Sequence, residues 1–293
     1  MGKTIVINQD NIVHSDNNIL EYSFPNSVKF SNHEIAVAQV NMYYSWTNIN
    51  ASPLINNTFQ YQWTVGSTTT TFDVVLPDGL YEVADINAYL QAEFIENGHY
   101  LKNADGDNVF YAEFVVNKTN YGVTLNTYPV PTSLPSGFTA PTQDAQSTAT
   151  TAAFVGFPTT TFNPNIKMVS SNNFHKLIGF SSTFESGLLS GGNQNKSFNS
   201  TTAPLISPNF NLYLALQNIS NPYASPSTII HSLSPQVGFG ELIIDRPNEF
   251  SYNDLTKGTY NKLRLQILGS DKLPIKILDP EISIVLLIRE KKQ

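Results

Sequence analysis

Hydrophobic and polar residues alternate with period two in several stretches, the pattern of β-strands with one buried face. The cleanest is Thr58 to Val65, where Phe59, Tyr61, Trp63 and Val65 point one way and Thr58, Gln60, Gln62 and Thr64 the other. After a Gly66-Ser67 turn, Thr69 to Leu76 repeats the pattern through Phe72, Val74 and Leu76. Ile35 to Trp46 predicts a longer strand with Ala36, Ala38, Val40, Met42, Tyr44 and Trp46 on one face. Ile19 to Phe24 predicts another, ended by Pro25-Asn26. Val109 to Val116 and Tyr121 to Tyr128 read as a hairpin joined by Asn117-Lys118-Thr119-Asn120. Leu212 to Leu216, Thr228 to Leu233 and Phe239 to Ile244 read as later strands.

The chain is organised around Lys262 to Lys291. Leu263, Leu265 and Ile267 alternate with Lys262, Arg264 and Gln266, and turn chemistry follows at Gly269-Ser270-Asp271 and Asp279-Pro280. Ile282 to Ile288 is then apolar on both faces except at Ser283. Such a strand needs cover above and below, which predicts a central position where two layers meet. The two segments read as a terminal hairpin. Earlier strands are expected to assemble around it as one cooperative β-unit that closes only when synthesis is complete.

Helical spacing is clear once. Val83, Ile86, Leu90 and Phe94 form a stripe after Pro77-Asp78-Gly79, with Glu82 and Asp85 near the helix start and Gly98 as a stop. Phe174 to Phe180 suggests a shorter helix closed by glycine. From 129 to 164 and from 187 to 208 the pattern dissolves, apart from an apolar island at Phe154-Val155-Gly156-Phe157. Both are long for loops, which makes them functional projections or mobile segments. Residues 1–18 are polar except for Ile5, Val6, Ile7, Ile12 and Val13, and read as an arm. That arm is either a frayed end or an extended strand that pairs with another subunit. The expected organisation is this arm followed by one all-β sandwich domain, 19–293, carrying both insertions.

Composition narrows the function. Cysteine is absent, which removes disulfide frameworks, thiolate metal sites and cysteine nucleophiles. A net charge of -7, with no basic run longer than the tail, argues against nucleic acid as the main partner. No secretory signal opens the sequence, and no apolar run reaches membrane-spanning length. Asn103 to Asp107 looks like a calcium loop, but with Gly106 at its sixth position Leu101 and Ala112 fall where carboxylates belong. A turn is the better reading. His14, His33, His99, His175 and His231 share no ligand spacing, and no phosphate loop, nucleophile elbow or dinucleotide fingerprint is present. Asp73, Asp78, Glu82 and Asp85 surround a turn and helix start, so capping explains them better than a glycosidase pair. Neither catalysis nor a cofactor is expected. Tyr43, Tyr44, Trp46, Tyr61 and Trp63 make a dense aromatic group, read as sandwich core, with a carbohydrate platform as the alternative.

Several patches resemble a known family. Leu76 to Asn87 resembles a strand-turn-helix segment of single jelly-roll penton or minor capsid proteins from virophages, Polinton-like elements and related double-stranded DNA viruses. Leu177-Ile178-Gly179-Phe180 resembles their Leu-Gly-Phe segment, and Leu263 to Gly269 with Ile282 to Arg289 resembles their last two strands. The resemblance implies a jelly roll of two antiparallel sheets. It also implies a penton subunit, five copies closing a vertex of an icosahedral virion beside a major capsid protein, assembled in the host cytoplasm. Under it Lys3, Ile5 and Ile7 act as a tether, and the insertions, including Phe154 and Phe157, project outward or meet neighbours. The alternative function is a receptor- or glycan-binding spike on the same sandwich.

Overall fold

The structure is a computed structural model that describes residues 2–142, 152–187, 189–190, 194–206 and 209–291. The chain divides into two compact units, Met1–Asn48 with Ser207–Gln293, and Ile49–Ile206. The first, here the sandwich unit, begins with β1 (Lys3–Asn8), β2 (Ile19–Phe30) and β3 (His33–Tyr43). The second, the inserted unit, contains β4 (Thr58–Val65), β5 (Thr68–Val75), α1 (Val83–Glu96), β6 (Leu101–Lys102), β7 (Asn108–Val109), β8 (Ala112–Asn117) and β9 (Gly122–Thr127). It continues with β10 (Phe162–Asn163), β11 (Asn165–Met168), α2 (Phe174–Ile178), β12 (Leu189–Ser190) and β13 (Lys196–Asn199). The sandwich unit then resumes with β14 (Leu212–Leu216), β15 (Ile219–Ser220), β16 (Ile229–Leu233) and β17 (Leu242–Asp245). It ends with β18 (Asn253–Leu255), β19 (Gly258–Leu268) and β20 (Ile282–Glu290).

All pairings between these strands are antiparallel, and in the sandwich unit they make two sheets. One runs β1-β20-β3, with β17 and β18 sharing the far side of β3 and β15 beyond β18; the other runs β16-β14-β19-β2. Taking β17 and β18 as one broken strand and β15, two residues long, as its short edge partner leaves eight main strands in chain order: β1, β2, β3, β14, β16, β17/β18, β19 and β20. The first, eighth, third and sixth form one sheet; the second, seventh, fourth and fifth form the other. That order is a jelly roll, two interlocked Greek keys. The fold is an all-β sandwich, and the inserted unit enters between its third and fourth strands.

The inward residues explain why it closes. Ile282, Ile284, Leu286 and Ile288 of β20 meet Leu263, Leu265 and Ile267 of β19 and Leu212, Leu214 and Leu216 of β14 in one core. As expected, β20 is central, paired on one side to β1 and on the other to β3. The terminal hairpin is corrected: β19 and β20 lie in different sheets, so Gly269 to Glu281 is a crossing and not a turn. β3 is corrected as well. A register shift against Val285/Leu286 breaks its alternation, placing Ile35 and Val37, then Val40 and Met42, in the core. β2 does not stop at Pro25 but continues to Phe30 across an irregularity opposite Asn261. An edge strand tolerates that proline because no outer neighbour needs its missing N–H.

In the inserted unit the sheets β11-β4-β5 and β13-β9-β8 and both helices share a second core. Phe59, Tyr61 and Trp63 point inward, while Gln60, Gln62 and Thr64 form an outer ladder with Asp73, Thr71 and Thr69. α1 buries Val83, Ile86, Leu90 and Phe94, the predicted stripe, and the Glu82 N–H donates to Asp85 at its start (2.7 Å). Asn103 to Asp107 is a turn, with the Asn103 side chain accepting from the backbone of Asp105 and Asp107. α2 ends at Gly179 in the left-handed region (φ 78°), where a Cβ would press into the carbonyl oxygen of Thr202. Gly179→Ala is therefore expected to destabilise this unit by more than the ~1 kcal/mol of left-handed backbone alone. Denaturant unfolding followed through Trp63 checks it.

Candidate assembly surfaces

The two outer faces of the sandwich differ in chemistry. On the β16-β14-β19-β2 sheet the outward positions of β19 are Lys262, Arg264 and Gln266, and Glu21 on β2 pairs with Lys262 (2.7 Å) and Arg264 (3.8 Å). Exposed pairs like these contribute little stability and keep a face in water. The other sheet turns apolar side chains outward. Val6 of β1 lies opposite Val285, and Leu287 opposite Ala36. On β17, Leu242 and Ile244 stand beside Tyr43 and Asn41. Val6, Leu242 and Ile244 are 53%, 42% and 58% exposed. A polar row of Asn8, Ser283 and Asn41 crosses the same face and borders a shallow groove that Tyr43, Leu242 and Glu281 also line. Its far end carries charge: Arg289 pairs with Glu34 and lies 3.5 Å over the Tyr252 ring, and Lys291 reaches Asp254 at 2.6 Å.

The expected tether lies here, but its geometry differs from an arm. Lys3–Asn8 is extended, and its partner is β20 of its own chain. Ile5 and Ile7 point into the sandwich core, because the space between the sheets accepts their side chains; Lys3 is exposed at the strand's start. What β1 offers outward is Thr4, Val6 and Asn8. Phe154 and Phe157 belong to the inserted unit. Their rings lie 4.6 Å apart, half-buried against its core, leaving Val155 exposed. The strap they occupy is tied by backbone bonds from Ala152 to Ile95, Phe154 to Pro141, Val155 to Gly98 and Thr159 to Gly66.

The aromatic group divides between the units, and its two tryptophans are core residues, so the carbohydrate platform on them is set aside. Trp46 is 2% exposed in the sandwich unit and donates to the Asn209 carbonyl (3.2 Å). Trp63, 1% exposed in the inserted unit, stacks on His99 at 4.5 Å between ring centroids. His99 Nδ1 also bonds the Tyr61 hydroxyl at 2.9 Å. Burial pushes the His99 imidazole down to about 3 and raises the Tyr61 hydroxyl. His231 meets Asp245 at 2.6 Å, joining β16 to β17 of the opposite sheet. Sequence spacing gave no sign of that pair, since its members belong to different sheets. Among the described residues no group of three or more His, Asp or Glu is placed to hold a metal ion, and no helix is long and apolar enough to cross a membrane.

Strand order and surface together describe a single jelly roll with exposed apolar side chains on one outer face, its third and fourth strands joined in the chain through a second unit. The structure is similar to the crystal structure of the selenomethionine-labelled mavirus penton protein, with 11% identity, a TM-score of 0.40 and 99% of each chain covered. No family model matches the chain, and no curated protein matches it.

Proposed function

We propose that this chain is a structural subunit of an icosahedral virion, a penton protein whose copies close five-fold rings beside a major capsid protein. The observation that carries the reading is the set of apolar side chains exposed on one outer face of the jelly roll, Val6, Leu242 and Ile244, with Val285 and Leu287 partly exposed on the same face. Sheet faces left in water are ordinarily polar, and an exposed apolar patch rimmed by polar and charged groups marks a docking surface. A five-fold ring needs heterologous contacts, in which such a face meets a different surface of the next copy. The charged end at Arg289, Glu34, Lys291 and Asp254 then sets orientation more than affinity. Lys3 and Val6 on β1 and the strap carrying Phe154 and Phe157 are further proposed contacts. The sequence patches resembling penton and minor capsid proteins point the same way. On this reading the protein catalyses nothing and resides in the virion, assembled in the host cytoplasm.

Native mass spectrometry across a concentration series tests it. Pentamers are expected at high concentration. Val6→Asp with Ile244→Asp is expected to leave a folded monomer, weakening association at least about tenfold per site, since each apolar contact is worth roughly 1.4 kcal/mol or more. A wild-type chain that stays monomeric at every concentration, or a ring indifferent to both substitutions, overturns the proposal.

A further inference from the structure

The end of α1 is built to place a histidine where water does not reach. Gly98 takes a left-handed φ of 68°, and its N–H bonds the Ile95 carbonyl while the next N–H, that of His99, bonds Phe94 (2.8 Å). This pair of bonds is a Schellman closure, which folds the following residue back beneath the helix. His99 therefore lies between Trp63, Tyr61 and the edge of Phe72, at 1% exposure. The strap hangs on the same turn. Val155 N–H donates to the Gly98 carbonyl (3.3 Å), Ala152 N–H donates to Ile95 (3.2 Å), and a Cβ on Gly98 would press into the Ala153 carbonyl. One closure thus seats both the imidazole and the segment bearing Phe154 and Phe157.

We propose that His99 is an acid-sensitive latch. Protonation of its ring drives the α1 closure open, frees residues 152–159 from Gly98 and Ile95, and uncovers Phe154 and Phe157. The physical cause is desolvation: an imidazolium among Tyr61, Trp63 and Phe72 has no carboxylate among the rings and hydrogen-bond partners it touches, and the folded state holds it neutral. The titratable groups around it are few. Tyr61 on β4 bonds the ring, Tyr111 packs edge-on against Trp63, and the buried Tyr100 follows His99 in the chain. On α1, Glu93 acts on Tyr61 and is itself raised by burial and by Glu96. The strap residues Ala152 to Thr159 carry no titratable side chain.

The sign follows from linkage. His99 binds a proton less readily folded than unfolded, so its contribution is complete above about 6.5 and is lost as pH falls toward about 3. The open population then rises about tenfold per pH unit over that window. Glu93 works in the opposite direction, favouring the closed form once it protonates, and flattens the slope at the acid end.

Hydrogen exchange of the full chain, normalised at each pH to the unfolded chain, tests the latch. Protection across 152–159 is expected to fall about tenfold per unit from pH 6 to pH 4, while protection in β19 and β20 changes less. His99→Gln is expected to abolish the slope whatever its effect at pH 7. A wild-type strap equally protected at both pH values overturns the proposal, as does a slope that survives His99→Gln. Should that variant fail to fold, the wild-type His99 ring followed by NMR decides: a folded-state titration above pH 4.5 overturns it, and none above that pH supports it. These readouts are taken without reference to the oligomer, so the latch and the penton reading stand or fall separately.

Discussion

Truncation after Pro280 is expected to leave a chain whose inserted unit folds and whose sandwich unit does not. β20 is the only described strand that pairs with β1, and its other edge pairs along the length of β3, so its loss splits that sheet. It also removes Ile282, Ile284, Leu286 and Ile288, each 4% exposed or less. At about 1.5–3 kcal/mol per buried side chain, these four amount to roughly the entire stability of a typical domain, about 5–15 kcal/mol. The inserted unit keeps its own core of Phe59, Trp63, Phe94, Phe174 and their neighbours. The two tryptophans separate the outcomes, because Trp46 belongs to one core and Trp63 to the other. In the truncated chain Trp46 emission should resemble that of the denatured protein, with Trp63 still shielded. A milder version, Ile284→Ala, should cost about 2–5 kcal/mol and move only the Trp46 transition.

The central position of β20 was legible because two-sided apolarity admits few other placements. α1, β4, β5, β14 and the glycine ending α2 were legible because each has a local cause: a stripe, an alternation, or a backbone conformation that glycine adopts freely. The division into two cores was not. Alternation reports that a strand has a buried face, and it says nothing about which partner covers it. Phe59-Tyr61-Trp63 and Leu263-Leu265-Ile267 look equivalent in sequence, yet they belong to different units. The separation of β19 and β20 into opposite sheets was hidden for the same reason. The bulge in β3 is set by Val285 and Leu286, far along the chain, so extending one alternation from Ile35 to Trp46 assigned the wrong face to half the strand.

For function, the apolar face was partly visible. Val6 and Ile244 are ordinary strand residues in sequence and become surface only once Ile5, Ile7 and Ile243 are seen to occupy the core. The site around His99 had a usable signal. A glycine stop followed at once by histidine, after the Val83–Phe94 stripe, is the arrangement in which a helix closure turns the next side chain inward. Sorting the five histidines by ligand spacing passes over it, because burial, and not a partner histidine, makes this one unusual.

Excising the inserted unit is the complementary experiment, and it is expected to succeed. The Trp46 indole reaches the Asn209 carbonyl, so the strands on either side of the insertion come within one side chain of each other inside the sandwich unit. A short glycine-serine linker from Asn48 to Asn209 therefore closes a small loop. Closure entropy grows only slowly with loop length, so replacing a long insertion by a few residues costs little and reduces the entropy lost on folding. All eight strand positions of the jelly roll remain, with β1-β20-β3 and β14-β19-β2 unchanged. Residues 49–206 expressed alone are expected to fold as well, around the core that holds Trp63. Each piece should unfold in one cooperative denaturant transition, followed by its single tryptophan, at a midpoint close to that of the corresponding tryptophan in the intact chain. The excised sandwich should also keep its association through Val6 and Ile244, since both lie outside the removed segment. A sandwich that aggregates or melts without cooperativity once the insertion is gone would mean that the jelly roll closes only with residues 49–206 in place. The eight-strand order would then describe its pairing without accounting for its stability.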